Sequence, residues 1–295
     1  MTSWEPIVSN VLLGVLVFGF TASVDIFSFQ DKLRHSNGIL IGLCCQFLLL
    51  PFIGFCVVRA FALREVYGIT LLVVLSSPGG TYSNWWCSLF NADLALSVAM
   101  TTASTIISAG MLPVNLLIYI NAAYDEGSAH KHLNWGSLFT SIGVVIGGVV
   151  AGLVAATKLD ETWMSRCNKL GNLMGIILIV FSAFISTRDE PIWNKTWDFY
   201  VAVTLPCEIA ILLSLALTSI PRCNLDKPER VAVAIETSYQ NVGIAMAVAL
   251  SMFSGDDRAD AVGVPLYYGI IEAVSLAFLC LMAWKAGWTF APPED

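Results

Sequence analysis

The sequence predicts an all-α membrane protein: nine transmembrane helices arranged as an inverted repeat, in which the third and the eighth helix are discontinuous. Three observations lead there. The 295 residues are 57% hydrophobic and only 13% charged, with a mean hydropathy of +0.74, a composition that soluble domains of this length do not show. Apolar windows long enough to cross a hydrocarbon core about 30 Å thick recur nine times, joined by short connections. Two of the nine carry helix breakers and polar side chains near mid-length.

In chain order, the first window (8–29) follows MTSWEP without the basic segment or small-residue cleavage site of a secretory signal, so it reads as a retained helix. No Arg- and Ser-rich transit segment is visible. The second (37–60) holds a lone amide, Gln46. The third (68–90) is interrupted by Ser77-Pro78-Gly79-Gly80, with Thr81, Ser83 and Asn84 directly after. The fourth (93–121) places Ser97, Thr101 and Thr105 at i, i+4 and i+8, one stripe of hydroxyls, with Ser104 and Ser108 alongside. The fifth and sixth (134–157 and 169–187) are unbroken. The seventh (197–219) contains Glu208 after Pro206. The eighth (229–253) is interrupted at residues 235–241, IETSYQN, and the ninth (262–284) carries Glu272 near its middle. No room is left for a soluble catalytic domain, so any function resides in the bundle.

With the N-terminus outside, the inner loops hold Lys32, Arg34, Lys158, Arg166, Lys169, Arg222, Lys227, Arg230 and Lys285, against Arg59, Arg64, Lys131, Arg188, Lys195 and Arg258 outside. That bias favours an outer N-terminus and an inner C-terminus, in a plasma membrane or an organelle envelope. The net charge of -7 arises mainly from outer acids such as Asp125, Glu126, Asp256 and Asp257 and argues against nucleic acid as a partner. Eight cysteines show no metal-ligand spacing and read as small packing residues. Asn194-Lys195-Thr196 is a glycosylation sequon in an outer loop. His35, His130 and His132 all lie in loops, which excludes an intramembrane Ser/His/Asp set or a His metal pair.

The two broken windows lie five helices apart, so they run in opposite directions across the membrane, as an inverted repeat requires. Backbone released from a helix cannot face lipid, so both breaks must be buried in protein or line a wet cavity. The freed carbonyls suit a cation and the freed amides an anion. A Pro-Gly pair alone is equally the mark of a kink; the second break is what separates the two accounts.

Glu236 sits mid-membrane with no Lys or Arg at comparable depth, so its neutralising partner is expected to be a bound ion. Carboxylate, hydroxyl, amide and backbone oxygens are the ligands of a small hard cation. Taken alone, the hydroxyl stripe is also what helix-bonded Ser and Thr produce, and Gln46 is also interhelical glue.

Six motifs in order, LIGLCCQFLLLP, SSPGGTYSN, ADLALSVAMTTAST, LPVNLLIY, ERVAVAIETSYQNVGIA and VPLYYGI, resemble the bile acid:sodium symporter family, which includes bacterial and plant carriers of organic anions. The resemblance implies a first sodium site from Ser83, Asn84, Ser97, Thr101 and Glu236. It implies a second from Glu236, the backbone at Thr237 and Tyr239, and the side chains of Gln240 and Gln46. Two sodium ions would be the coupling ions, with no other metal or cofactor. It also implies the nine-helix branch of the family, with a core domain (37–121 and 197–284) and a panel domain (8–29 and 134–187). Thr81, Asn84, Trp85 and Asn241 are the candidate contacts for the organic anion, which would be bile-salt-like, a steroid sulfate or a small carboxylate.

The chain departs from the family pattern at Ala247, where many bacterial relatives have an Asn, and at Glu272, where relatives often have a neutral residue. Glu272 reads either as a proton-titrating or ligand group or as a hydrogen-bonded core residue; Glu208 is open in the same way, and Trp85 and Trp86 either line the anion site or pack. The function expected is sodium-coupled symport of an organic anion by alternating access. The alternatives are a proton-coupled or uncoupled carrier of the same fold, and a receptor that binds the anion without moving it.

Overall fold

The computed structural model describes residues 4–24, 37–80, 82–124, 135–186 and 194–290. Thr81 lies outside them, as do Lys32, Arg34, His35, Asp125, Glu126, His130, Lys131, His132 and Arg188. The described residues form helices α1 (Glu5–Ala22), α2 (Asn37–Ala60), α3 (Glu65–Ser76), α4 (Ser83–Leu89), α5 (Leu94–Ala123), α6 (Trp135–Ala156) and α7 (Glu161–Ser186). They continue with α8 (Trp197–Thr218), α9 (Lys227–Ser238), α10 (Val242–Met252) and α11 (Asp256–Lys285). Six of these, α2, α5, α6, α7, α8 and α11, are long and apolar enough to cross a membrane; α1, α3 and α10 are shorter apolar helices.

Helix ends follow local chemistry more closely than hydropathy. α1 ends at Ala22, where the backbone N–H and the hydroxyl of Ser23 both donate to the Phe20 carbonyl (3.3 and 2.7 Å) and close a turn; residues 25–29 of the predicted window lie outside the described residues. α7 begins at Glu161, eight residues before the predicted start at 169, because the carboxylate of Asp160 accepts the Trp163 N–H (2.9 Å) as an N-cap. α11 likewise begins at Asp256 rather than 262.

α2 contains a π-helical turn over Cys45–Leu49 that the apolar pattern does not announce. Its cause is Pro51, which has no N–H to give and whose ring crowds the carbonyl four residues back. Leu50 N–H therefore reaches to the Cys45 carbonyl, and the Asn115 amide of α5 donates to the freed Phe47 carbonyl (3.0 Å). Single-turn π segments place a side chain where a regular helix would not, and the one displaced here is Gln46.

The interrupted helices occupy the centre. Every residue of α3 from Gly68 to Ser76 is buried, as are Val231–Ser238 of α9 and Gly243–Met252 of α10. Burial of this kind keeps unpaired backbone away from lipid. α1 packs most extensively on α6 and α7, with the Thr21 hydroxyl donating to the Gly148 carbonyl (3.2 Å).

Candidate functional site

Pro78 and the glycines after it end α3, and the chain resumes as α4 at Ser83; α9 ends at Ser238 and α10 starts at Val242. The two interruptions pair with each other. Gly80 N–H donates to the Tyr239 carbonyl (3.1 Å), Asn241 N–H donates to the Pro78 carbonyl (2.9 Å), and Gly79 bridges to Gln240. Gly79 N–H donates sideways to the Ser104 hydroxyl of α5 (3.2 Å). Side chains do not fit at this crossing: a Cβ on Gly80 would lie 2.7 Å from Tyr239 Cε1 and 2.9 Å from the Gln240 carbonyl oxygen, and one on Gly79 3.0 Å from Glu236 Oε2.

Glu236 does not lie in the break. It occupies the last turn of α9, and its buried carboxylate is ringed by hydroxyls from α4 and α5. Ser83 (2.5 Å) and Ser97 reach Oε1, and Thr101 reaches Oε2 (2.9 Å). The same hydroxyls contact the Gly80 carbonyl (Ser83, 2.7 Å), Asn84 Oδ1 (Ser97, 2.8 Å) and the Ser97 carbonyl (Thr101, 3.1 Å). Three hydroxyl protons thus stand against six short oxygen–oxygen contacts, and a proton on Glu236 itself would bring the supply only to four. Among the described residues no ion pair involves Glu236; the pairs present are Arg64 with Asp257 and Asp260, and Lys195 with Asp260. The cluster is thus rich in oxygen acceptors, and among the described residues no cationic side chain is paired with it.

A second polar group adjoins the break. Gln240 accepts from Gln46 Nε2 (2.7 Å) and donates to the Thr237 carbonyl (2.8 Å), while Gln46 Nε2 also donates to the Ser77 carbonyl (2.8 Å). Thr237 is still helical, but its carbonyl lies beyond the helical bonding pattern, and its buried hydroxyl oxygen has no hydrogen-bond partner among the described residues. Tyr239 contributes its carbonyl to Gly80. The sequence-predicted residues therefore gather as two sets, Ser83, Asn84, Ser97 and Thr101 around Glu236, and Gln46, Thr237 and Gln240 around the second break. Among the described residues no hydrogen bond links the Glu236 carboxylate to Gln46 or Gln240. Thr105 and Ser108, further along the predicted stripe, bond carbonyls of their own helix instead.

Beside the first set lies a cavity of about 790 Å³ between α1 and α7 on one side and α4 and α5 on the other. Phe20, Asn84, Trp85, Thr101, Asn168 and Asn172 are among its lining residues, and none of the described residues that line it is cationic. Trp86 turns away and stacks on Phe90. Asn241 lies instead in an adjoining recess of about 80 Å³ with Tyr239, Gln240 and Asn172, and its side chain caps α10 by accepting the Ile244 N–H (3.1 Å). Asn168 and Asn172 were not among the sequence candidates. Their spacing of four on one helix was the available signal, but Asn168 fell just before the predicted window 169–187 and Asn172 at its polar start, so the pair was not singled out.

Of the other flagged positions, Ala247 is buried among apolar neighbours. Glu272 accepts the Gln240 backbone N–H (2.8 Å), and Glu208, exposed on α8, accepts from the Ser275 hydroxyl (2.5 Å).

A model of the sodium bile acid symporter family matches residues 10–191. Over 288 residues the chain is 29% identical to the ileal sodium/bile acid cotransporter of Cricetulus griseus, covering 95% of this chain and 79% of that one. It is 28% identical over 283 residues to the human ileal sodium/bile acid cotransporter, covering 93% and 77%. To the human sodium-dependent organic anion transporter it is 25% identical over 288 residues, covering 95% and 73%. The protein is a transporter rather than an enzyme, an integral membrane protein that crosses the bilayer several times, and it belongs to the sodium bile acid symporter family.

Proposed function

We propose that this chain is a symporter that couples two sodium ions to the movement of an organic anion by alternating access. The observation that carries the reading is the Glu236 cluster: a buried carboxylate and six further oxygens that share too few protons, with no cationic side chain among the described residues paired to it. A small hard cation supplies the missing charge and takes ligands of this kind. Ser83, Asn84, Ser97, Thr101 and Glu236 would hold one ion. Gln46, Gln240 and the carbonyls at Thr237 and Tyr239, with Glu236, would hold the second.

In this reading the chain crosses the membrane nine times, with α3–α4 and α9–α10 as the two crossed, discontinuous members of an inverted repeat. The core is residues 37–121 and 197–284 and the panel 8–29 and 134–187, a division supported by the packing of α1 on α6 and α7. Sodium at the two sites fixes the paired breaks and so completes the wall of the neighbouring cavity. The anion lies there with its apolar body against Phe20 and Trp85. Its charge meets neutral donors such as Asn84, Asn168 and Asn172 rather than a salt bridge. A cavity of about 790 Å³ suits a bile-salt-like or steroid sulfate substrate better than a small carboxylate. The N-terminus is outside, the C-terminus inside, and the plasma membrane is the proposed location.

The test is uptake of a labelled bile salt and a labelled steroid sulfate into proteoliposomes, in sodium and with choline replacing it. Uptake should require sodium. Glu236→Ala, which removes the shared ligand, should abolish it while the protein still inserts; unchanged uptake by that variant would contradict the site.

A further inference from the structure

The second break leaves three backbone amides, those of Tyr239, Gln240 and Asn241, with different fates. Tyr239 N–H still reaches its own helix at the Ile235 carbonyl (2.9 Å), and Asn241 N–H is taken by Pro78 of the other break (2.9 Å). Gln240 N–H is buried between them, and its acceptor is a side chain from a different helix, Oε2 of Glu272 (2.8 Å). One turn earlier on the same face of α11, the Tyr268 hydroxyl donates to the Ser238 carbonyl (3.2 Å). α11 therefore grips the end of α9 through a donor and an acceptor spaced four residues apart, both side chains fully or almost fully buried.

We infer that Glu272 is a positioning residue for sodium binding: its carboxylate oxygen fixes the Gln240 backbone so that the Gln240 side chain bridges Gln46 and the Thr237 carbonyl. The inference rests on the sodium-symport reading above and adds to it a residue that touches neither ion nor anion. The role belongs to an acceptor oxygen at one place, not to a negative charge. Neutral Gln keeps such an oxygen at the same reach. Asp keeps the charge but withdraws its oxygens by one methylene, and Ala leaves a buried N–H unpaired, which is costly.

The experiment compares Glu272→Gln, Glu272→Asp and Glu272→Ala with the unaltered protein in proteoliposomes. It reads the sodium concentration for half-maximal bile-salt uptake and, separately, the KM for the anion at saturating sodium. Glu272→Asp and Glu272→Ala are expected to raise the sodium requirement about tenfold, the scale of one lost buried hydrogen bond, and to leave the anion KM at high sodium within about twofold of its original value. Glu272→Gln is expected to restore the original sodium requirement. The Gln and Asp variants preserve side-chain volume well enough to carry the test if Glu272→Ala does not fold. Native behaviour in Glu272→Asp with impairment in Glu272→Gln, or native behaviour in both, overturns the inference alone. Uptake by the unaltered chain that ignores sodium overturns the symport reading and this inference with it.

Discussion

A carboxylate at mid-membrane costs about 2.5–3.5 kcal/mol on an insertion scale when charged, so its surroundings say what it is for. Among the described residues the hydrogen-bond partners of the Glu236 carboxylate are the hydroxyls of Ser83, Ser97 and Thr101, the neutral oxygen surroundings that the proposed sodium site requires. Asn84 Oδ1 belongs to the first set and Gln240 to the second, so Asn84→Ala and Gln240→Ala should each raise the sodium concentration for half-maximal uptake, roughly five- to thirtyfold for the loss of one ligand oxygen. Sodium titration of uptake checks this, and an unchanged half-saturation in either variant removes that residue from its site. Polar residues such as Glu236, Ser83 and Asn84 were legible in the sequence because an apolar window makes them conspicuous. Asn168 and Asn172 were not: Asn168 lies in the polar stretch before the predicted sixth window, which the Asp160 cap draws into α7, and Asn172 lies at the polar start of that window. The Gly79 bond to Ser104 and the Gln240 bond to Glu272 were also hidden, because both join segments whose proximity no spacing encodes.

At the scale of elements, the two breaks were readable as Pro-Gly-Gly and as a polar run inside apolar windows, but their pairing was not. That pairing depends on backbone approach at Gly80. Gly80→Ala should force Tyr239 and the Gln240 carbonyl away and abolish uptake, whereas Gly110→Ala, where an added methyl meets nothing within 4 Å, should leave uptake unchanged. Loss in both variants, or in neither, would contradict the role given to the crossing. The π turn at Cys45–Leu49 escaped hydropathy for a different reason: its cause, Pro51, reads as one apolar residue among many, while its effect lies four residues upstream. Asn115→Ala leaves the Phe47 carbonyl unpaired, and melting of the purified protein should show a loss of about 1 kcal/mol.

For the whole molecule, the energetics separate stoichiometries. Two sodium ions with one monoanion move one net charge, worth about 2.3 kcal/mol per 100 mV. A tenfold sodium gradient adds about 1.4 kcal/mol per ion, for a total near ~5 kcal/mol and an accumulation of roughly several thousandfold. One ion per monoanion is electroneutral and supports only about tenfold. Uptake of the anion should therefore carry inward positive current, and current-free uptake would reduce the coupling to a single ion. Hydropathy and charge revealed a multi-pass bundle, but not the cavity between α1, α7, α4 and α5, whose size depends on how helices distant in sequence are spaced.

The most direct measurement is the thermal stability of the purified protein titrated with sodium, potassium and choline, since an ion that binds only the folded state stabilises it by about 2.7 kcal/mol at a hundred times its Kd. Sodium alone should raise the melting temperature of the native chain, and should not raise that of Glu236→Ala. Equal effects of the three cations on the native chain, or an undiminished sodium effect in the variant, would contradict the claim that Glu236 is neutralised by captured sodium.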